Sequence, residues 1–206
     1  MHDIPESNPA PPLLVVISGP SGVGKDAALS RLKEMDRPWH FVVTATTREP
    51  RPGERDGEHY IFLDAETFLK MRDRDQFVET AEVYGRWYGT PRAQVRQALK
   101  EGKDVILRVD VQGVAAVKAL APEAVSIMIV PESLSELRKR LAARGSETSG
   151  DLDVRLQAAQ QELAEIGGFD YRVVNRDGQL DRTVAEIDAI ITAEKCKVMP
   201  RVVQLL

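Results

Sequence analysis

The stretch GPSGVGKDAAL, residues 19–29, holds the first side chains whose types and spacing could do chemistry. G-x-x-x-x-G-K fits from Gly19 to Lys25 and is typical of a loop that binds a polyphosphate. The glycines let backbone N–H groups converge on phosphate oxygens, the following helix adds its positive end, and Lys25 supplies a mobile charge. The pattern therefore predicts a nucleotide-phosphate site at Gly19, Pro20, Ser21, Gly22, Val23, Gly24, Lys25 and Asp26.

Two carboxylates beside this loop are candidate metal-binding residues. Asp26 stands where the pattern normally has a hydroxyl residue that contacts Mg²⁺. A carboxylate can also bind Mg²⁺, directly or through water, but Asp at a helix start can instead cap the helix, and both interpretations stay open. Asp110 ends the apolar run DVILRVD at residues 104–110, where it could reach the metal and the phosphates or serve only as a turn residue.

The hydrophobic pattern predicts the elements that must position these residues. Residues 13–17 form a continuous apolar run of buried-strand type, and apolar residues at helical spacing follow the glycine loop. Similar runs lie at residues 40–44, 104–110, 125–130 and 171–175 and alternate with helical stretches. This order predicts an α/β protein with a mostly parallel five-stranded sheet and helices on both faces.

One segment interrupts the alternation. Residues 44–91 are rich in polar residues and turn signals around one short strand, so they predict an inserted small mixed α/β lobe. Residues 13–43 and 92–197 then form the core domain. We expect residues 1–12 to be a disordered N-terminal tail and residues 198–206 to be a C-terminal tail that frays.

Composition narrows the class of protein. With 43% hydrophobic and 29% charged residues, the chain has the profile of a soluble globular protein. Its net charge of -4 gives no general reason to expect a nucleic-acid partner. The single cysteine, Cys196, excludes an internal disulfide framework and fits a reducing compartment. There is neither a membrane-length apolar run nor a signal peptide at the start, so we expect a cytoplasmic protein without a membrane partner.

Five segments together resemble guanylate kinase, in order and at family-like spacing: GPSGVGK and residues 44–60, 77–91, 109–113 and 140–156. The resemblance runs from about residue 13 to residue 197. It implies a P-loop kinase fold and ATP-dependent phosphorylation of GMP, and of dGMP, to the diphosphate with Mg²⁺. The partners would be the small molecules GMP and ATP, bound by a monomer or small homo-oligomer. The inserted lobe at 44–91 would bind GMP, and residues from about 140 to 156 would form a lid.

The resemblance assigns the guanine base to Glu79. Guanine presents two adjacent donors, N1–H and the exocyclic amine, and the two oxygens of one carboxylate match that pair. Adenine would place an acceptor against the carboxylate, which disfavours it strongly. Thr44 and Thr90 match positions beside the base, although a threonine before Pro91 is also typical of a helix N-cap.

The remaining roles also come from the resemblance. Arg48 and Arg51, with Tyr60 and Tyr88, match positions that grip the GMP phosphate, and Glu54 and Asp110 belong to the same site. Arg144 and Arg155 match lid arginines that close over the transferring phosphoryl group, where they would act with Lys25 and Arg48. Asn175 could contact adenine or be a turn residue. Arg140, one helical turn before Arg144, could share the work of the lid arginines or be a surface charge, and the second interpretation is favoured. Mg²⁺ would be held by Asp26 and Asp110, in part through water.

This chain departs from the usual family pattern at two positions. The family usually has a hydroxyl residue at position 26 and an acidic residue at position 108, whereas this chain has Asp26 and Arg108. The two changes have opposite charge and could offset each other if Arg108 faces the phosphate site.

Two alternatives stay open at this point. A glycine loop with Lys-Asp also resembles the ribose 1,5-bisphosphate kinases, which share the fold. Guanylate kinase-like modules of membrane-associated scaffolds are protein-binding surfaces without phosphate-loop chemistry, but they typically lack the loop's glycines and lysine, which are present here.

Overall fold

The computed structural model describes residues 10–83, 85–143 and 149–205. The predicted lid residue Arg144 and most of the expected N-terminal tail lie outside these ranges. Within them, no helix is both long and apolar enough to span a membrane.

The elements follow one another in the alternating order that the hydrophobic runs predict. In chain order they are β1 Leu14–Ser18, α1 Lys25–Lys33, β2 Trp39–Phe41, β3 Ala45–Thr46, β4 Ile61–Phe62, α2 Ala65–Asp73, β5 Phe77–Val83, β6 Arg86–Pro91, α3 Arg92–Lys100, β7 Asp104–Arg108, α4 Val111–Leu120, β8 Val125–Pro131, α5 Leu134–Ala143, α6 Ser149–Ala164, β9 Tyr171–Asn175 and α7 Leu180–Lys195. A short 3-10 helix, Glu165–Gly168, follows α6.

The larger sheet is the predicted five-stranded one. Its strand order in the described part of the chain is β2-β7-β1-β8-β9, and every neighbouring pair is parallel. The central strand β1 is buried on both sides: Val15 and Ile17 pack in the cluster that contains residues of α1 and α7, whereas Leu14 and Val16 pack in the cluster with residues of α3 and α4. The predicted fold is therefore confirmed, and the carboxyl ends of the strands form one edge of the sheet.

One strand is shorter than its apolar run. Apolar and β-branched residues continue to Thr44, but β2 ends at Phe41. The next backbone groups are satisfied by a side chain, since Val43 N–H donates to Gln94 Oε1 at 3.0 Å and Gln94 Nε2 donates to the Val43 carbonyl at 3.1 Å. Gln94 of α3 thus takes the place of a neighbouring strand where the chain leaves the larger sheet.

The segment from residue 44 to residue 91 builds a second sheet, with strand order β4-β3-β6-β5 among the described residues. Its pairs are mixed, because β3 is parallel to β4 but antiparallel to β6. The lobe has its own small core, in which the rings of Phe68 and Phe77 stack with centroids 4.6 Å apart. The aromatic cluster fixes β5 and β6, which carry Glu79, Tyr88 and Thr90.

The C-terminal segment does not fray as expected. Val203 and Leu205 pack against the apolar cluster on one side of the larger sheet. Arg201 donates to Glu194 Oε2 at 2.8 Å and to the carbonyl of Glu123 at 3.3 Å. The expectation was wrong because the tail finds a buried carboxylate on α7 and a partly buried carbonyl in the loop before β8.

Glu194 is the most buried ionised partner of this tail, with a side chain that is 0% exposed. Burial raises its pKa, but hydrogen bonds from Arg201, Lys197 and Tyr171 outweigh burial and lower the pKa to about 2. A carboxylate whose pKa is lower in the folded state stabilises the fold above its ordinary pKa of 4.5, and this stabilisation disappears as the pH falls toward 2.

We therefore expect Glu194→Gln to reduce the free energy of unfolding by about 3 kcal/mol at neutral pH, because two cationic partners lose their counter-charge. Urea denaturation from pH 7 to pH 2 should show the difference from the unsubstituted protein shrinking below about pH 4.5. The control is Glu186→Gln on the same helix, which removes only an exposed pair with Arg182 and should change stability by less than about 0.5 kcal/mol. Equal losses of unfolding free energy in the two variants would show that Glu194 has no special role in stabilising the fold.

Candidate active site

The glycine loop lies between β1 and α1, at the carboxyl edge of the larger sheet. Gly24 is the N-cap residue of α1 with φ of 100°, and a Cβ atom there would come within 2.4 Å of Asn175 Nδ2. Lys25 Nζ donates to the carbonyls of Gly19 and Pro20. Burial lowers the pKa of Lys25, whereas Glu162, Asp26 and Asp110 oppose that shift. The loop thus places a half-buried cation beside the start of a helix.

Asn175 and Arg140 hold the loop from behind. Asn175 Nδ2 donates to the Val23 carbonyl at 2.7 Å, and its Oδ1 accepts from Thr183 Oγ1 at 3.0 Å. Arg140 donates to the carbonyls of Val23 and Asn175, each at 3.2 Å. The carboxamide of Asn175 is therefore buried and bonded to the protein, so the turn-residue interpretation is incomplete, and Arg140 is not a simple surface charge. Contact of Asn175 with the adenine of ATP stays a prediction. The Val23 side chain belongs to the core.

Two clefts meet beside the loop. The first, of about 370 Å³, brings together the loop and the following predicted residues: Lys25, Asp26, Thr44, Tyr60, Glu79, Tyr88, Asp110 and Arg155. The second, of about 470 Å³, is lined by another predicted set: Asp26, Thr44, Arg48, Arg51, Glu54 and Tyr60. Three predicted residues, Val23, Thr90 and Asn175, line neither cleft and lie behind the surface.

Glu79 is a buried carboxylate in the wall of the first cleft. It is 7% exposed, and Thr90 Oγ1 donates to its Oε1 at 2.6 Å. Burial raises its pKa to about 7; the bond from Thr90 opposes the shift and the charge of Asp110 adds to it. Thr90 is not the N-cap of α3, which is Pro91, so the capping alternative is wrong. Thr90 instead fixes one oxygen of Glu79, whose carboxylate lacks a cationic partner in the described structure.

Asp110 caps a helix and also lines the first cleft, and its predicted contact with the metal and the phosphates stays a prediction. Its Oδ1 accepts from Gly113 N–H at 2.6 Å, which makes it the N-cap of α4, and its side chain also lines the first cleft. The cap fixes the carboxylate near the glycine loop, because β7 and β1 are parallel neighbours in the sheet.

The second cleft is built around a tightly held arginine. Arg48 forms a two-bond pair with Glu54, at 2.7 and 2.6 Å, and its guanidinium lies 4.7 Å from the centre of the Tyr60 ring. Glu54 Oε2 also accepts from the backbone N–H of Arg51 at 2.8 Å. Glu54 therefore fixes the turn that carries the two arginines predicted to bind the GMP phosphate. The two predicted tyrosines are also in contact, since Tyr88 packs edge-on to Tyr60.

Asp26 and Arg108 form an ion pair between the clefts. Arg108 Nη1 donates to Asp26 Oδ1 at 2.7 Å, and its Nη2 donates to the hydroxyl of Tyr60. Arg108 therefore faces the phosphate loop, as the charge compensation requires. The helix-cap interpretation of Asp26 is wrong, because Gly24 is the N-cap of α1 and Asp26 lies in the first turn with its carboxylate on Arg108.

The sequence interpretation missed Glu162 on α6. Glu162 lies in the first cleft together with Arg155, Ala158 and Ala159, and its charge acts on Lys25. Burial raises the pKa of Glu162, while Lys25 and the backbone N–H of Ser21 oppose that shift. The spacing of these four residues, which puts them on one helix face, could have predicted the acid from the position of Arg155.

Comparison with known proteins gives consistent matches. The guanylate kinase family model matches residues 12–194. Guanylate kinase 2, chloroplastic/mitochondrial, of Oryza sativa subsp. japonica is 46% identical over 202 residues, which cover 98% of this chain and 71% of the rice protein. The guanylate kinase of Caldanaerobacter subterraneus subsp. tengcongensis is 45% identical over 186 residues, covering 90% of this chain and 89% of that protein. The crystal structure of guanylate kinase from Anaplasma phagocytophilum superposes with a TM-score of 0.75 at 31% identity and covers 92% of this chain and 89% of that one. The chain belongs to the guanylate kinase family.

Proposed function

We propose that this protein transfers the terminal phosphoryl group of ATP to GMP and dGMP, releasing ADP and the guanosine diphosphate. The observation that carries the proposal is one cleft containing both a phosphate-binding loop and a buried carboxylate, Glu79, held by Thr90. The curated guanylate kinases that match most of the chain support the same activity.

Guanine recognition falls to Glu79. One of its oxygens already accepts from Thr90, and each carboxylate oxygen has two acceptor sites, so both oxygens can still accept from the N1–H and the amine of guanine. A buried carboxylate without a cationic partner gains from two such donors. The acceptor N1 of adenine would leave this charge poorly paired, which favours GMP over AMP.

Phosphate binding and transfer need no general base. The GMP phosphate is already ionised at neutral pH, so positioning and neutralisation of charge supply the rate. Arg48, Arg51, Tyr60 and Tyr88 would hold that phosphate, while Lys25 and the loop N–H groups would hold the phosphates of ATP. Arg155 on α6, with Arg144 beyond the described residues, would approach as the lid closes.

Mg²⁺ is part of this proposal, and the donor set fits it. Mg²⁺ is usually held by one or two carboxylates together with substrate phosphates and water, and no larger cage is needed. Asp26 and Asp110 both line the cleft that contains the loop, and the Asp26 side chain is 68% exposed. The ion would neutralise phosphate charge, with Asp26 and Asp110 as its ligands, in part through water.

The domain roles and the setting are also proposed. Residues 13–43 and 92–197 would act as the ATP core, residues 44–91 as the GMP lobe, and residues from about 140 to 156 as the lid. The protein would act on small molecules in the cytoplasm as a monomer or small homo-oligomer, without binding nucleic acid or a membrane. The single cysteine and the net charge of -4 support this setting.

The proposed activity is tested by coupled ADP release with GMP, dGMP, AMP and ribose 1,5-bisphosphate offered separately. We expect turnover with GMP and dGMP, and little with AMP. Turnover with the sugar bisphosphate alone would establish the alternative kinase activity, and no turnover with any acceptor would support a binding module.

Glu79→Gln should lower kcat/KM for GMP roughly 10²- to 10³-fold, because the variant loses a charged acceptor and presents an amide donor to the base. The KM for ATP should stay within about twofold of the original value. Glu82→Gln is the matched control, since Glu82 lies on the same strand, β5, and is exposed. If both variants lost GMP and ATP use equally, Glu79 would not be the guanine-binding residue.

The raised pKa of Glu79, about 7 before GMP binds, gives a further prediction. Because guanine requires the ionised form, GMP binding must release the proton from the fraction that is protonated. GMP affinity should therefore be roughly tenfold weaker at pH 6 than at pH 8. Isothermal titration calorimetry with GMP at each pH measures this change in affinity. The dependence of GMP affinity on pH in Glu79→Gln gives the part due to the GMP phosphate itself. Equal slopes in the two proteins would contradict the assignment.

A further inference from the structure

Arg108 lies where the two clefts meet. Within the described part of the chain, the residues that line both clefts are Asp26, Thr44, Tyr60 and Arg108. Lys25 borders only the first cleft, and Arg48 only the second. Lys25 and Arg108 both line the first cleft, and the charge of Arg108 acts with burial to lower the pKa of Lys25. If the two nucleotides occupy these clefts as proposed, the phosphoryl group in transit crosses this junction.

The guanidinium of Arg108 is held in a fixed orientation. Asp26 and the hydroxyl of Tyr60 each accept from one of its terminal nitrogens. Its central carbon lies 4.9 Å from the centre of the Tyr60 ring, which also has the guanidinium of Arg48 at 4.7 Å. Because a guanidinium carries five N–H donors, two bonds leave donors for an anion. Tyr60 therefore lies between two arginines, one from the lobe and one from the core.

Arg108 is a charged group that stays partly exposed at the junction of the clefts. The side chain of Arg108 is 28% exposed, so much of a charged group has left water, yet its acidic partner Asp26 is 68% exposed. Burial lowers the pKa of Arg108, but Tyr60 and Asp26 outweigh burial and raise it, so the guanidinium is held in its charged form. A phosphate ligand would bring two or more negative charges to the exposed part of this cation.

The geometry points to Arg108 as a phosphate-binding residue that contacts the phosphoryl group in transit between ATP and GMP, with Asp26 and Tyr60 as its positioning residues. This inference rests on the proposed function and adds a core arginine to the lobe and lid arginines. Unlike a lid residue, Arg108 lies at the end of β7 and is in place before closure. It also offsets the carboxylate that Asp26 places beside the phosphate loop.

Arg108→Met tests the inference, because it removes the charge but keeps much of the side-chain length. We expect kcat to fall on the order of 10²-fold, less than the roughly 10³–10⁵ of a sole transition-state arginine, because Lys25 and the other arginines remain. The KM for GMP and for ATP should each change less than about threefold. Calorimetry should show a loss of roughly 10- to 100-fold in affinity for a bisubstrate compound, adenosine and guanosine joined by five phosphates. Arg108→Lys should recover part of kcat, since it restores charge without the two-bond fork.

Arg37→Met is the control, because it removes an arginine–aspartate pair of similar length, 2.8 Å, with Asp188 on α7. It should change neither kcat nor affinity for the bisubstrate compound. A second comparison uses Tyr60→Phe alone and together with Arg108→Met. The inference would be wrong if Arg108→Met raised only the KM for GMP and if adding it to Tyr60→Phe raised that KM no further. Arg108 would then act through Tyr60. An unchanged kcat in Arg108→Met would overturn the inference while leaving the proposed function intact. Failure of the unsubstituted protein to phosphorylate GMP would overturn both.

Discussion

The carbonyl group of Val23 is the point on which the site depends. It accepts hydrogen bonds from Asn175 at the end of β9 and from Arg140 on α5, so three separate parts of the chain meet at one loop atom. Without these donors the carbonyl would be buried and unpaired, and the glycine loop would lose the hydrogen bonds that hold its conformation. Since Arg140 is near the end of α5, the phosphate loop shares one of its supports with the segment that would close as a lid.

The site also carries charges that its own fold satisfies incompletely. Burial lowers the pKa of Lys25 and raises the pKa values of Glu79 and Glu162, so each of these groups is less stable in its charged form than it would be in water. In the proposed complex the nucleotides would bring the missing partners, because phosphates would compensate the cation and the guanine donors would compensate Glu79. Affinity and selectivity then have a common origin, in that the correct ligands relieve a desolvation cost that wrong ligands leave in place.

Much of the fold could be predicted from the sequence, since buried parallel strands are apolar on both faces and the glycine loop follows the first of them. The contacts of Arg108 could not be predicted in this way. Strand alternation puts it on the same face as Ile106, but which helix covers that face depends on the tertiary structure. Asn175 and Arg140 gave no signal of their role, because their partner is a backbone carbonyl that any residue would supply. The packing of the C-terminal segment was missed for a similar reason: Arg201 finds Glu194 and the Glu123 carbonyl only after α7 has docked.

The two ends of the described chain leave from one side of the larger sheet. Lys195 donates to the carbonyls of Ala10 and Pro11 and to Asp104, the first residue of β7, while Arg201 donates to the carbonyl of Glu123 just before β8. These anchors lie at the amino ends of the strands, whereas both clefts open at the carboxyl ends. Fluorescent labels or surface linkers attached beside these anchors, for example at Ala10, would therefore lie at the opposite edge of the larger sheet from both clefts. Such attachments could report on the protein or immobilise it while leaving the clefts open to ligands.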